Sequence, residues 1–151
     1  MKNLIISILE YIDNNLYIKI SIDELSKRFF YNKDYIMRVF KKELGITLIE
    51  YINKKRIYNS LRSIQNTDDY ILKISISYGF ASQEYYCEIF TKIIGVSPQV
   101  YRKFCNNSKT ISYNEISIIR KNLIDLKYEL DRIELYKNNI ERETTKKLSL
   151  Y

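Results

Sequence analysis

The sequence predicts an all-α fold in which two helix-turn-helix subdomains are joined by a long linker helix and followed by a long C-terminal helix. Three observations carry that prediction. Apolar residues recur at three- and four-residue steps along nearly all of the 151 residues. Punctuation is scarce, with 3 Gly and 1 Pro in the chain, and each of these falls where a helix should stop or start. Sliding the chain against itself by 50 residues matches Tyr35 with Tyr85, Phe40 with Phe90, Lys42 with Lys92, Gly45 with Gly95 and Tyr51 with Tyr101.

The elements follow in order. Ile5, Ile8, Leu9, Ile12 and Leu16 form one face of a first helix over about residues 3–15. Ser21 with Glu24 is a capping box that opens a short second helix through Phe29. Asn32 caps a third helix carrying Ile36, Val39, Phe40 and Leu44, and Gly45 ends it in the left-handed position. Thr47 with Glu50 is a further capping box, starting a long helix to about Gln65 with Tyr51, Ile57, Tyr58 and Leu61 available for burial. Asp68 or Asp69 then caps a short helix carrying Ile71, Leu72, Ile74 and Ile76, closed by Gly79. Ser82 caps the next, which turns Tyr86, Ile89, Phe90 and Ile93 inward until Gly95 stops it. Ser97 followed by Pro98 is an N-cap with Pro in the first helical position, and a last short helix runs to Phe104.

These boundaries divide the chain into a region 1–104, made of a first unit 3–46, a linker helix 47–66 and a second unit 67–104. A polar linker follows at 105–111, and then a C-terminal helix over 112–142.

Composition narrows the chemistry. With 46% hydrophobic residues the chain can bury a core without staples. Its net charge of +7 favours a polyanionic partner. There is no His, and the two cysteines, Cys87 and Cys105, form no CxxC pair, so neither a zinc site nor a His-activated nucleophile is available. Neither a metal nor a cofactor is expected, and an enzyme is not expected. The N-terminus lacks the apolar core and cleavage site of a signal peptide, no window approaches a membrane span, and the unpaired cysteines fit a reducing cytoplasm.

The repeated unit is a short helix, a tight turn, an amphipathic helix, a Gly stop and a capped helix, the anatomy of a helix-turn-helix. On the solvent face of the third helix, Lys33, Arg38, Lys41 and Lys42 against Asp34 leave +3, a surplus that suits phosphate. Reading a major groove requires donors and acceptors near the N-terminal end of an exposed helix, where Lys33, Asp34, Met37 and Arg38 lie.

At these residues the sequence resembles a known family. Residues 3–104 look like the DNA-binding region of the AraC/XylS transcription regulators. The stretch GFASQEYYCEIFTKIIGVSPQVYRK, from Gly79 to Lys103, resembles the family's GF turn, its recognition helix ending in F-x-K, and the G-V-S-P and Y-R that follow. In the first unit SIDELSKRF and YNKDYIMRVFKKELG, followed by Tyr51, resemble it too. The resemblance implies double-stranded DNA as partner and allows RNA polymerase as a second. It also implies base-facing positions at Asp34, Met37 and Arg38 in the first recognition helix, and at Glu84, Cys87 and Glu88, beside Gln83, in the second. Phosphate contacts are expected from Asn32, Lys41, Lys42, Lys54, Lys55, Ser82 and Arg102.

Two departures stand out. The family often places Gln and Arg on the second recognition helix, whereas here Lys92 against Glu84 and Glu88 leaves −1. The first unit is therefore expected to supply most of the affinity, while the second binds weakly, reads cytosine N4 or serves partly as scaffold. Phe30 stands in a turn where the family often has Gly; if that position needs positive φ, the first turn is strained or differently shaped. Most family members also carry an effector-binding domain ahead of this region. Only two residues precede the first helix here, so regulation is expected from the tail, from abundance or from a protein partner.

In the tail, Ile116, Ile119, Leu123, Leu126, Leu130, Ile133 and Ile140 fall on alternating a and d positions of a heptad, broken only by Lys137. A helix of this extent, roughly 45 Å long, predicts a coiled-coil homodimer. The alternative is a helix folded back on its own chain, which the off-seam residues Ile118, Ile124 and Leu135 favour. The last eight residues, Glu143 to Leu150, are expected to fray. A second functional reading, favoured by the acidic second helix, is a protein-interaction module or co-regulator that has lost operator reading.

Overall fold

The computed structural model describes residues 1–150, which form eight helices and, among the described residues, no strand. They are α1 (Lys2–Asn14), α2 (Ile22–Phe29), α3 (Lys33–Leu44), α4 (Leu48–Asn66), α5 (Ile71–Ser77), α6 (Gln83–Ile94), α7 (Pro98–Cys105) and α8 (Tyr113–Ser149). Among the described residues no helix is long and apolar enough to cross a membrane. The chain divides into two compact units, one of residues 1–52 with 129–151 and the other of residues 53–128. The boundaries cut α4 and α8, so each unit owns part of both long helices.

Local chemistry explains the starts and stops. Ser21 accepts a hydrogen bond from the Glu24 amide, Asn32 from that of Asp34, Thr47 from Glu50, Ser82 from Tyr85 and Ser97 from Val100. Gly45 and Gly95 close α3 and α6 at φ 78° and 94°, each returning its amide to the carbonyl four residues back. The repeat is also visible in the packing. Phe40 and Tyr51 lie 5.9 Å apart between ring centres in the first unit, and their counterparts Phe90 and Tyr101 lie 5.7 Å apart in the second. Ile36 and Tyr86, and Leu44 and Ile94, are likewise matched and buried.

Four expectations are corrected. Tyr70 begins α5 without a side-chain cap, because the Asp69 amide is taken by Thr67 Oγ1 and the Asp69 carboxylate by Lys73 at 3.1 Å. Tyr58, Leu72 and Ile76 are exposed, since on these helices the buried positions go to Ile57, Leu61, Ile71 and Ile74. The end of α8 stays helical to Ser149, with Thr144 and Thr145 bonding back to the carbonyls of Ile140 and Glu141.

The fourth correction concerns the coiled coil. The heptad positions Ile119, Leu126, Ile133 and Ile140 are buried within a single chain. In the first unit Ile133 and Ile140 join the core built by α1, α2, α3 and the start of α4, with Leu130 packed against it. Lys137, the apparent break in the seam, pairs with Asp13 at 3.7 Å. Tyr136 donates to Glu43 at 3.1 Å, and burial together with that carboxylate pushes its hydroxyl up to about 12. Four of the seven heptad positions are thus buried by the chain itself, while Ile116, Leu123 and Leu130 are half-buried.

Phe30 does occupy the left-handed region, at φ 61°, with its side chain 92% exposed. Its counterpart in the second turn is Gly79 at φ 88°, and that turn is one residue longer before its N-cap: Gly79, Phe80, Ala81, Ser82 against Phe30, Tyr31, Asn32. Phe80 is buried there, whereas the first turn is held by Ser26 Oγ donating to the Tyr31 carbonyl at 2.6 Å. A residue with a Cβ in this conformation costs about 1–2 kcal/mol. Because the Phe30 ring buries almost nothing, Phe30→Gly is expected to raise the melting temperature by about 2–4 °C, as followed by circular dichroism. A fall would mean that the ring holds packing.

Candidate nucleic-acid interface

In the first unit, α3 buries Ile36, Val39, Phe40 and Leu44 and leaves Lys33, Asp34, Met37, Arg38, Lys41 and Lys42 on its exposed side. All six are residues singled out from the sequence, and the helix presents them together. The Arg38 guanidinium lies 5.7 Å from the centre of the Tyr35 ring, which itself stacks on Tyr31 at 5.2 Å. That aromatic shelf restrains the arginine, a preorganisation that lowers the entropy lost when it meets a base or phosphate. Lys33 is engaged by Asp23 of α2, and this pairing holds the Asp23 carboxyl below its ordinary range. The pair is exposed, so a phosphate can compete for the lysine.

In the second unit, α6 buries Tyr86, Phe90 and Ile94. Glu84, Glu88 and Lys92 are exposed, while Gln83 and Cys87 are half-buried. Burial, and then the Glu84 carboxylate, push the Cys87 thiol up, so the thiolate is disfavoured. Within this unit three tyrosine hydroxyls bind α6 and the end of α5 to its part of α4. Tyr85 accepts from Asn53 Nδ2 at 2.9 Å, Tyr86 shares a proton with Ser60 at 2.7 Å, and Tyr78 shares one with Ser63 at 2.7 Å. Arg56, buried on α4, has its guanidinium 5.9 Å from the Phe80 ring, and burial lowers its proton affinity.

The phosphate set divides. Lys41 and Lys42 are exposed, and Lys54 and Lys55 are half-buried on α4. Asn32 and Ser82 use their side-chain oxygens as helix caps, which leaves the Asn32 amide NH2 and the Ser82 O–H as the groups with a proton to offer. Arg102, half-buried, also has a structural role: its guanidinium donates to the carbonyls of Ile64 at 3.2 Å and Asp69 at 2.9 Å, closing the end of α4 and the segment after it.

Sequence reasoning passed over three features. The Tyr31–Tyr35 stack had a legible signal in its four-residue spacing. Ser112 and Glu115 form a reciprocal capping box that opens α8, readable as S-x-x-E. Asn122 and Arg132, which reach the ends of α6 and α3, had no signal in the sequence.

Comparison with known proteins agrees with this arrangement. A sequence model of a helix-turn-helix domain matches residues 25–103, just over half of the chain. The transcriptional activator AarP of Providencia stuartii is 34% identical over 100 residues, which span 66% of this chain and 74% of that protein. The multiple antibiotic resistance protein MarA of Escherichia coli is 34% identical over 96 residues, 64% of this chain and 76% of that one. Among solved structures, the C-terminal domain of AraT, a response regulator from Geobacillus stearothermophilus, superposes with a TM-score of 0.64 at 24% identity, covering 73% of this chain and 92% of that domain. The DNA-binding domain of the global transcriptional factor AdpA, solved with a target DNA, gives 0.63 at 17% identity, covering 72% and 97%, and so shares the fold. By its repeated capped units, its exposed basic α3 and these matches, the chain belongs to the AraC/XylS family of helix-turn-helix, DNA-binding transcription regulators.

Proposed function

We propose that the chain binds a specific double-stranded DNA sequence with α3 and α6 in successive major grooves, over a site of about 20 base pairs. The observation that carries this reading is the exposed side of α3, where Lys33, Arg38, Lys41 and Lys42 stand around Asp34 and Met37 at the helix's outer face. Asp34, Met37 and Arg38 read bases there, while Lys41, Lys42, Lys54, Lys55, Asn32 and Ser82 meet phosphates. Gln83, Glu84, Cys87 and Glu88 form the corresponding face of α6. Its carboxylates repel phosphate but accept from cytosine N4, so this helix adds selectivity more than affinity.

The cytoplasm, where bacterial DNA lies, is the compartment this reading requires. RNA polymerase is the protein partner that activators such as AarP suggest. The chain acts as a single copy, a reading supported by the burial of Ile119, Leu126, Ile133 and Ile140 inside it. Sedimentation equilibrium is expected to give the single-chain mass of 18.2 kDa, and twice that mass would restore the coiled-coil dimer.

A mobility-shift titration at two salt concentrations tests the main reading. Duplexes selected from a random pool should bind at least a thousand-fold more tightly than random duplex at physiological salt, and affinity should fall steeply as salt rises. A second reading, a co-regulator without operator recognition, is favoured by the acidic face of α6; binding no tighter than to random duplex would support it.

A further inference from the structure

α3 and α6 end on equivalent carbonyls, those of Leu44 and Ile94, 50 residues apart. The last carbonyls of a helix lack intrahelical donors, and the Gly cap satisfies only some of them. In each unit, considered by itself, the remaining acceptor at this position is met from α8. Arg132 Nη2 donates to Leu44 O at 2.6 Å in the first unit, and Asn122 Nδ2 donates to Ile94 O at 2.8 Å in the second.

At the end of α6 the glycine makes room for this: a Cβ on Gly95 would stand 2.3 Å from Ile118 Cγ2 and 2.7 Å from Asn122 Nδ2, whereas one on Gly45 would stand 3.7 Å from Arg132 Nη2, an ordinary contact. Gly95 therefore does two things, turning the chain through positive φ and providing the seat for a side chain of α8, while Gly45 supplies the turn on which Arg132 rests. In the first unit the donor is also a cation at the negative end of the helix dipole, which strengthens the bond. Beside it Tyr136 grips Glu43. The turns so held carry the exposed Lys41 and Lys42 on α3, which the proposed function places on phosphates, and their counterpart Lys92 on α6. α8 lies wholly outside the residues that match the family model.

We infer that Arg132 and Asn122 are positioning residues for DNA reading: each fixes the C-terminal turn of one recognition helix, α3 and α6 respectively, so that the two halves of the bound site are separately controlled from α8. The inference rests on the proposed roles of α3 and α6. Without the donor, the last turn loosens and the lysines on it lose their register on the backbone, whereas the capped N-terminal turn, held by Asn32 or Ser82, keeps its place.

The test is hydroxyl-radical footprinting of the full chain on a duplex selected by the wild type, well below the melting temperature of each variant. The half protected by α3 is identified as the half lost in Arg38→Ala. Arg132→Ala is expected to weaken protection of that half about five-fold with the other nearly unchanged, Asn122→Ala to do the reverse, and Arg132→Lys to restore most of the loss. If Arg132→Ala does not fold, Arg132→Gln is held to the same criterion. Protection that drops equally in both halves, or does not change, overturns the inference and leaves the DNA-binding reading intact. A wild type that selects no duplex overturns that reading itself, and the inference with it.

Discussion

Gly95→Ala is expected to destabilise the protein far more than the same change at its repeat partner Gly45. Both positions have positive φ, 78° and 94°, so both replacements incur the left-handed cost of about 1–2 kcal/mol. At Gly45 that is nearly the whole effect, because the new methyl would lie 3.7 Å from Arg132, an ordinary contact. At Gly95 the methyl would come within 2.3 Å of Ile118 Cγ2 and 2.7 Å of Asn122 Nδ2. The first of these belongs to a β-branched side chain with little rotamer freedom on a helix, and the second holds the bond to Ile94 O. Relieving the overlap means shifting α8 or losing that bond, a further penalty of about 1–3 kcal/mol. Thermal unfolding should place Gly45→Ala about 2–6 °C below the wild type and Gly95→Ala about 5–15 °C below it. Equal losses would mean that α8 does not seat on the end of α6.

Arg38→Ala is expected to weaken specific DNA binding about 10- to 100-fold, as read by mobility shift on a selected duplex at physiological salt. The arginine is exposed, held over the Tyr35 ring and distant from the core, so its loss should leave the melting temperature within about a degree. Glu88→Ala should change affinity by less than about three-fold on random duplex, and in the direction of tighter binding, because a carboxylate leaves the approach to phosphate. On the selected duplex the sign reverses if Glu88 accepts from a cytosine. Comparing the two variants on the two duplexes therefore separates charge from base reading.

Much of this arrangement was legible because each unit announces its own boundaries. Asn32, Ser82 and Ser97 are followed by apolar residues at helical steps, and Gly45 and Gly95 stop α3 and α6, so local capping chemistry alone placed these helices. The positive φ of Phe30 was legible as a conflict between a residue with a Cβ and a turn that elsewhere has Gly. The partner of α8 was not legible. A heptad stripe states that a helix face will be buried but not by which surface, since intramolecular and intermolecular burial of Ile133 and Ile140 remove the same apolar area from water. What decides it is polar and distant in sequence: Lys137 with Asp13, Tyr136 with Glu43, Arg132 with Leu44 O. Arg102 is a related case. Its charge suits a phosphate, and only the fold shows two backbone carbonyls already within its reach.

The most direct test of the account is methylation interference on a selected duplex bound by the full chain. Methyl groups on guanine N7 lie in the major groove and those on adenine N3 in the minor groove. Two clusters of interfering guanines about 10 base pairs apart are expected, with the stronger one disappearing in Arg38→Ala. A single cluster, or interference confined to adenines, would contradict it.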